Sequence, residues 1–131
     1  MESAFQFTNP SLIGLEFGAN EEYSCSENKE VNIAINLSVN VERKEGRNEA
    51  KVSLTVELGE KGQGTPFYVT AIESADFRWK EKLDEDKVHK LLNQNAPSLL
   101  LSYVRPVISQ LTAASPFGAV NIPFMNFTNQ E

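Results

Sequence analysis

Apolar and polar positions alternate most regularly over residues 31–42. Val31, Ile33, Ile35, Leu37, Val39 and Val41 fall on one side, and Asn32, Ala34, Asn36, Ser38, Asn40 and Glu42 on the other. Strict alternation over twelve residues predicts a strand in a sheet with one dry face and one wet face. After a charged turn around Gly46, Val52, Leu54, Val56 and Leu58 alternate with Lys51, Ser53, Thr55 and Glu57. That predicts a hairpin partner. Upstream, Phe5-Gln6-Phe7 and then Ile13, Leu15 and Phe17 predict one long strand over 4–18, interrupted near Asn9-Pro10, because proline cannot donate to a ladder. Downstream, residues 65–79 predict a fourth strand, with Phe67, Val69 and Ala71 on one face and Tyr68, Thr70 and Ile72 on the other. Glu73 falls on the apolar register, which suits an edge or a subunit contact.

The pattern then changes period. Val88, Leu91 and Leu92 mark a short helix over about 85–94, which Asn95-Ala96-Pro97 should stop. A long helix follows, with Pro97 in its first turn, where the missing N–H costs nothing. Its polar residues Ser98, Ser102, Arg105, Ser109 and Thr112 recur at steps of four, three, four and three, so they form one narrow stripe on an otherwise apolar body. A surface helix usually has the reverse arrangement, so this one should be covered on more than one side, which implies an oligomer. Pro106 lies inside it and predicts a bend near Ser102. Four strands followed by helices define an α+β class with a four-stranded antiparallel sheet, and residues 1–131 read as a single domain.

Composition narrows function mainly by exclusion. Twelve Lys and Arg against eighteen Asp and Glu give a net charge of −6, contrary to the basic face of a nucleic-acid binder or of a protein that sits on anionic lipid. One cysteine, Cys25, allows no internal disulfide and no thiolate zinc cluster. The first residues lack a basic segment followed by an apolar run, and no stretch has the length of a membrane span, so the expectation is a cytoplasmic protein without membrane insertion.

Candidate chemistry is sparse. The loop 59–64 is glycine-rich but joins two strands and lacks the Gly-Lys-Ser/Thr of a phosphate loop, so it reads as a flexible turn. His89, the single histidine, sits among charged residues with no nucleophile to pair with. Cys25 lies in an acidic loop, which disfavours its thiolate. The acidic residues of 82–86 lack the pattern of a calcium loop and suit a helix start. The reading is no enzyme, no metal and no cofactor. Binding remains: Phe117, Ile122, Phe124, Met125 and Phe127 follow the helix, and Pro116 and Pro123 keep them extended. Such a segment suits either an apolar peptide groove or simple packing on the core.

At this level the chain resembles the SecB family of protein-export chaperones. The residues that carry the resemblance are Phe5-Gln6-Phe7, Leu15-Glu16-Phe17, Phe67 and Phe77. Asn95-Ala96-Pro97, Tyr103-Val104-Arg105, Pro116-Phe117 and the run from Val120 through Ile122-Pro123-Phe124-Met125-Asn126-Phe127 complete it, in matching order and spacing over nearly the whole chain. The resemblance implies a four-stranded sheet with a long helix, assembled as a dimer of dimers (a homotetramer) with the helices sandwiched between dimers. It also implies ATP-independent binding of unfolded, non-native polypeptides in long apolar grooves. Carried over, client binding falls on Tyr23, Val31, Ile33, Ile35, Leu37, Phe124, Met125 and Phe127. The oligomer interface falls on Val69, Ala71, Glu73, Leu100, Tyr103, Val104, Val107, Ile108 and Leu111.

Two departures bear on partners. Positions that in export members form an acidic docking face for the translocase motor correspond to Gly14, Gly18, Tyr68 and Thr70, none of them charged. The sequence stops four residues after Phe127, where export members continue into another helix and a tail, so a flatter, more open client surface is expected. Three readings follow: an export-linked or general holdase, a dedicated chaperone of one partner such as an antitoxin, and a structural oligomeric domain without a client or a small-ligand binder between sheet and helix.

Overall fold

The computed structural model describes residues 3–23, 33–62, 64–115 and 118–127. Among these residues five strands precede the helices: β1 (Phe5–Phe7), β2 (Ser11–Ala19), β3 (Ile35–Arg43), β4 (Glu49–Gly59) and β5 (Phe67–Trp79). All pairings are antiparallel. Because β1 and β2 pair successive parts of β5, they occupy one position, and the sheet is four strands wide in the order β1/β2–β5–β4–β3. The fifth strand is thus the expected first strand cut at Asn9-Pro10. Thr8 bridges the cut: its N–H donates to the Asp76 carbonyl at 2.9 Å and its hydroxyl accepts from the Asp76 N–H at 3.0 Å. A bulge between Leu12 and Gly14 then re-aims β2.

Register decides which side chains share a face. Leu37 pairs Val56, Val56 pairs Ala71, and Ala71 pairs Leu15, so the apolar residues of all four positions line one side. Helix α2 (Ala96–Ala113) lies on that side against β4 and β5. It buries Leu100, Leu101, Val104 and Ile108 over Val52, Leu54, Val56, Val69 and Ala71.

The helical region departs from expectation in one respect. Asn95-Ala96-Pro97 does not end the first helix. Helix α1 (Glu85–Lys90) passes through a π-helical turn (Leu91–Asn95) directly into α2, and the Ala96 N–H reaches back to the Leu91 carbonyl. Pro97 has no N–H for the Asn93 carbonyl and its ring would crowd it, and a widened turn absorbs both problems without a break. Asp84 caps α1, its carboxylate accepting the Lys87 N–H at 2.8 Å. The helix also runs unbroken through Pro106, which faces outward and is exposed. No helix among the described residues is long and apolar enough to cross a membrane.

The glycine-rich turn after β4 is anchored on both flanks. Asn20 donates to the carbonyls of Glu60 and Thr65 at 2.8 and 2.7 Å, and the Thr65 hydroxyl donates to the Phe67 carbonyl at 2.9 Å. Gly59 has φ +65°, and a Cβ there would stand 2.2 Å from the Phe67 carbonyl oxygen, so only glycine fits.

Candidate functional site

The dry face of the sheet is wider than the helix that covers it. Over β4 and β5 the inward residues are sealed. At the β3 margin Ile33, Ile35, Leu37, Val39 and Val41 border the same core yet stay half-buried. Among the described residues no strand pairs with the far edge of β3. At the opposite margin Phe7, Leu12 and Leu15 are exposed. These three are not among the residues that the family resemblance assigns to client binding. Leu15 carried a usable signal, since it alternates with Ile13 and Phe17, but alternation reports only the face and not its cover.

Of the residues assigned to client binding, Ile33, Ile35 and Leu37 form one row on and just before β3. Tyr23 is half-buried just after β2, its N–H bonded to the Asn20 carbonyl at 2.9 Å. Val31, like Cys25, lies outside the described residues. The C-terminal segment divides: Phe124 is 81% exposed and Met125 half-buried, whereas Phe127 is inside the core at 2%. Phe127 therefore holds the segment down and does not line an open surface.

The polar stripe of α2 does not form the wet line expected of it. Arg105 Nε donates to the Ile122 carbonyl at 2.7 Å, Ser109 Oγ donates to Asn121 Oδ1 at 2.9 Å, and Thr112 Oγ1 accepts the Val120 N–H at 2.7 Å. Thr112 is fully buried. Arg105, Ser109 and Thr112 thus bind the chain's own C-terminal segment, whereas Ser98 and Ser102 donate to the carbonyls of Gln94 and Leu99 and Ser102 stays exposed.

Of the nine residues assigned to the oligomer interface, Val69, Ala71, Glu73, Leu100, Val104 and Ile108 are buried within the subunit. Any influence of these six on assembly would act through the core. Tyr103 is 42% exposed, and Val107 and Leu111 are half-buried, so these three remain open to a neighbour. Glu73 pairs across the sheet with Leu54 and Leu12, and burial there raises its carboxyl above the ordinary value.

The outer face of the sheet is mixed, with Ile72 and Tyr68 among polar residues. Gly14 pairs Ile72, Glu16 pairs Thr70 and Gly18 pairs Tyr68. The Tyr68 ring lies over Gly18, where an added Cβ would stand 2.6 Å from the phenol oxygen. Lys61 lies 5.2 Å from the centre of that ring and bonds Glu16 at 2.5 Å, a hydrogen bond that holds the ammonium above its usual value. At the end of β3, Arg43 stacks 5.2 Å from the Trp79 ring and hydrogen-bonds Glu85, which keeps the Glu85 carboxyl below its usual value. Among the described residues no cluster of His, Cys, Asp and Glu could hold a metal ion.

The apolar sheet face is thus half-covered among the described residues, and Phe7 and Phe124 are exposed aromatic rings. The sequence pattern of the family Preprotein translocase subunit SecB matches residues 14–130. The chain is 26% identical over 110 residues to Protein-export protein SecB of Alcanivorax borkumensis, covering 84% of this chain and 70% of that one. It is also 26% identical over 109 residues to the protein of the same name from Anaplasma phagocytophilum, covering 76% and 69%. The chain belongs to the SecB family. Its fold superposes with a TM-score of 0.75 on a SecB-like chaperone of Mycobacterium tuberculosis, solved in complex with a peptide from the HigA1 antitoxin. That match has 12% identity and covers 94% of this chain and 91% of the other.

Proposed function

We propose that this protein is an ATP-independent holdase that captures unfolded or non-native polypeptides on the open margins of its apolar sheet face. The observation that carries the reading is the β3 row: five apolar side chains in register with the core, half-buried, at an edge with no partner strand among the described residues. Each Å² of apolar surface removed from water is worth about 25 cal/mol and imposes no sequence code. Such a row therefore suits many clients, and holding an unfolded chain opposes its folding by mass action. The net charge of −6 favours basic client segments and makes capture weaken with salt. Membership of the SecB family supports the same reading.

Self-assembly through Tyr103, Val107 and Leu111 into a dimer of dimers would cover the outward side of α2. Gly14, Gly18, Tyr68 and Thr70 carry no charge, and Glu16 between them is paired with Lys61, which argues against a link to the translocase motor. A dedicated client is the second reading. It is favoured by the TM-score of 0.75 to a SecB-like chaperone whose structure holds an antitoxin peptide. Suppression of aggregation of several unrelated denatured proteins would support the general holdase. Affinity confined to one peptide would move the assignment to the dedicated chaperone, and absence of both would leave a structural role.

A further inference from the structure

The C-terminal segment runs back along α2, with Thr112, Ser109 and Arg105 meeting Val120, Asn121 and Ile122 in turn. Two of the three bonds go to backbone atoms, so they set the register of the segment whatever its side chains. Ile122, fully buried, and Phe127 point in, and Phe124 points out. Ile122 is packed into the core, while on the outer side of the segment Ser102, Arg105, Pro106, Ser109, Asn121 and Ile122 line an open hollow of about 240 Å³. Pro123 has no N–H to donate. The bond from Arg105 to the Ile122 carbonyl is therefore the nearest polar restraint on the N-terminal side of Phe124. It is charge-assisted, and so stronger than a neutral hydrogen bond.

From this geometry we infer that Arg105 is a positioning residue for client capture: its grip on the Ile122 carbonyl presents Phe124 as an aromatic anchor for a bound polypeptide. The inference rests on the proposed holdase reading. Arg105 itself need not touch the client. Its neighbour on the segment does, as a large exposed apolar ring that costs little conformational entropy to bury.

The test uses the full chain and reduced, carboxymethylated α-lactalbumin, which stays unfolded, with affinity measured by fluorescence anisotropy. Phe124→Ala and Arg105→Ala should each weaken binding about five- to tenfold. The double variant should be no weaker than Phe124→Ala alone, since both act through one ring. Arg105→Lys, which keeps a charged donor, should recover most of the affinity. Amide exchange over residues 118–127 should quicken in Arg105→Ala but not in Phe124→Ala. A further loss when Arg105→Ala is added to Phe124→Ala would overturn the positioning role, as would full affinity in Arg105→Ala. A change in particle mass by light scattering in Phe124→Ala would also overturn it, because the ring would then serve subunit contact. If the unmodified protein binds no client, the holdase reading fails and this inference with it; binding that ignores Arg105 sinks the inference alone.

Discussion

Strands β3 and β4 are alternating apolar strands of nearly equal quality, paired residue for residue, and they end in different environments. On β4, Val52, Leu54, Val56 and Leu58 are all at 0% exposure. Their partners Val41, Val39, Leu37 and Ile35 on β3 stay half-open. The difference is not in the strands but in the reach of α2, which packs on β4 and β5 and leaves β3 beyond its width. A helix is about 10 Å across and strands are spaced at about 4.8 Å, so one helix seals two strands of a four-wide sheet. Apolar surface of the same kind is sealed on one strand and left half-open on the next.

The sharpest way to break this comparison is a matched pair of truncations. Leu54→Ala should cost about 3 kcal/mol in urea unfolding, because it leaves a sealed cavity, whereas Leu37→Ala should cost about 1 kcal/mol, because its site is already half-solvated. Equal losses would mean that the β3 row is core after all. Next in size, Ile33→Asp with Ile35→Asp should weaken client binding at least about tenfold while moving the unfolding midpoint less than Leu54→Ala does. Capture that survives both charges would remove the β3 margin from the site.

Glu73 tests the sealed half of the comparison. Its carboxyl titrates higher folded than unfolded, so the folded state takes up a proton first on acidification. Stability therefore rises as pH falls through that raised value, and the gain is complete below the ordinary value of 4.5. Glu73→Gln should flatten this part of the pH profile, and an unchanged profile would place the proton elsewhere. The smallest effect belongs to Arg43, whose contacts with Trp79 and Glu85 tie the end of β3 to the core and to α1. Arg43→Ala should lower stability by no more than about 1 kcal/mol, yet speed amide exchange at the end of β3.

Much of the fold around the candidate site was legible at the level of pattern. The period-two run over 31–42 identified the β3 row and its inward face, and Pro10 marked the cut between β1 and β2. What misled was the stripe Ser98, Ser102, Arg105, Ser109 and Thr112. Periodicity shows that polar residues share a side, but water and a returning backbone satisfy a hydroxyl or guanidinium equally well. Only the path of residues 118–127 decides between them. The same limit applies to the apolar residues: Phe127 and Phe124 look alike in sequence, and one is core while the other faces solvent.

From its sequence alone this protein's class, the succession of strands along the chain and their apolar face were determined, because side-chain direction along a strand follows from backbone geometry and needs no knowledge of the neighbours. How far α2 extends across that face, which stripe residues meet the tail, and how Asn95-Ala96-Pro97 passes as a π turn were decided only in three dimensions. Those outcomes depend on which surfaces meet across long sequence separations, and a local pattern carries no record of them.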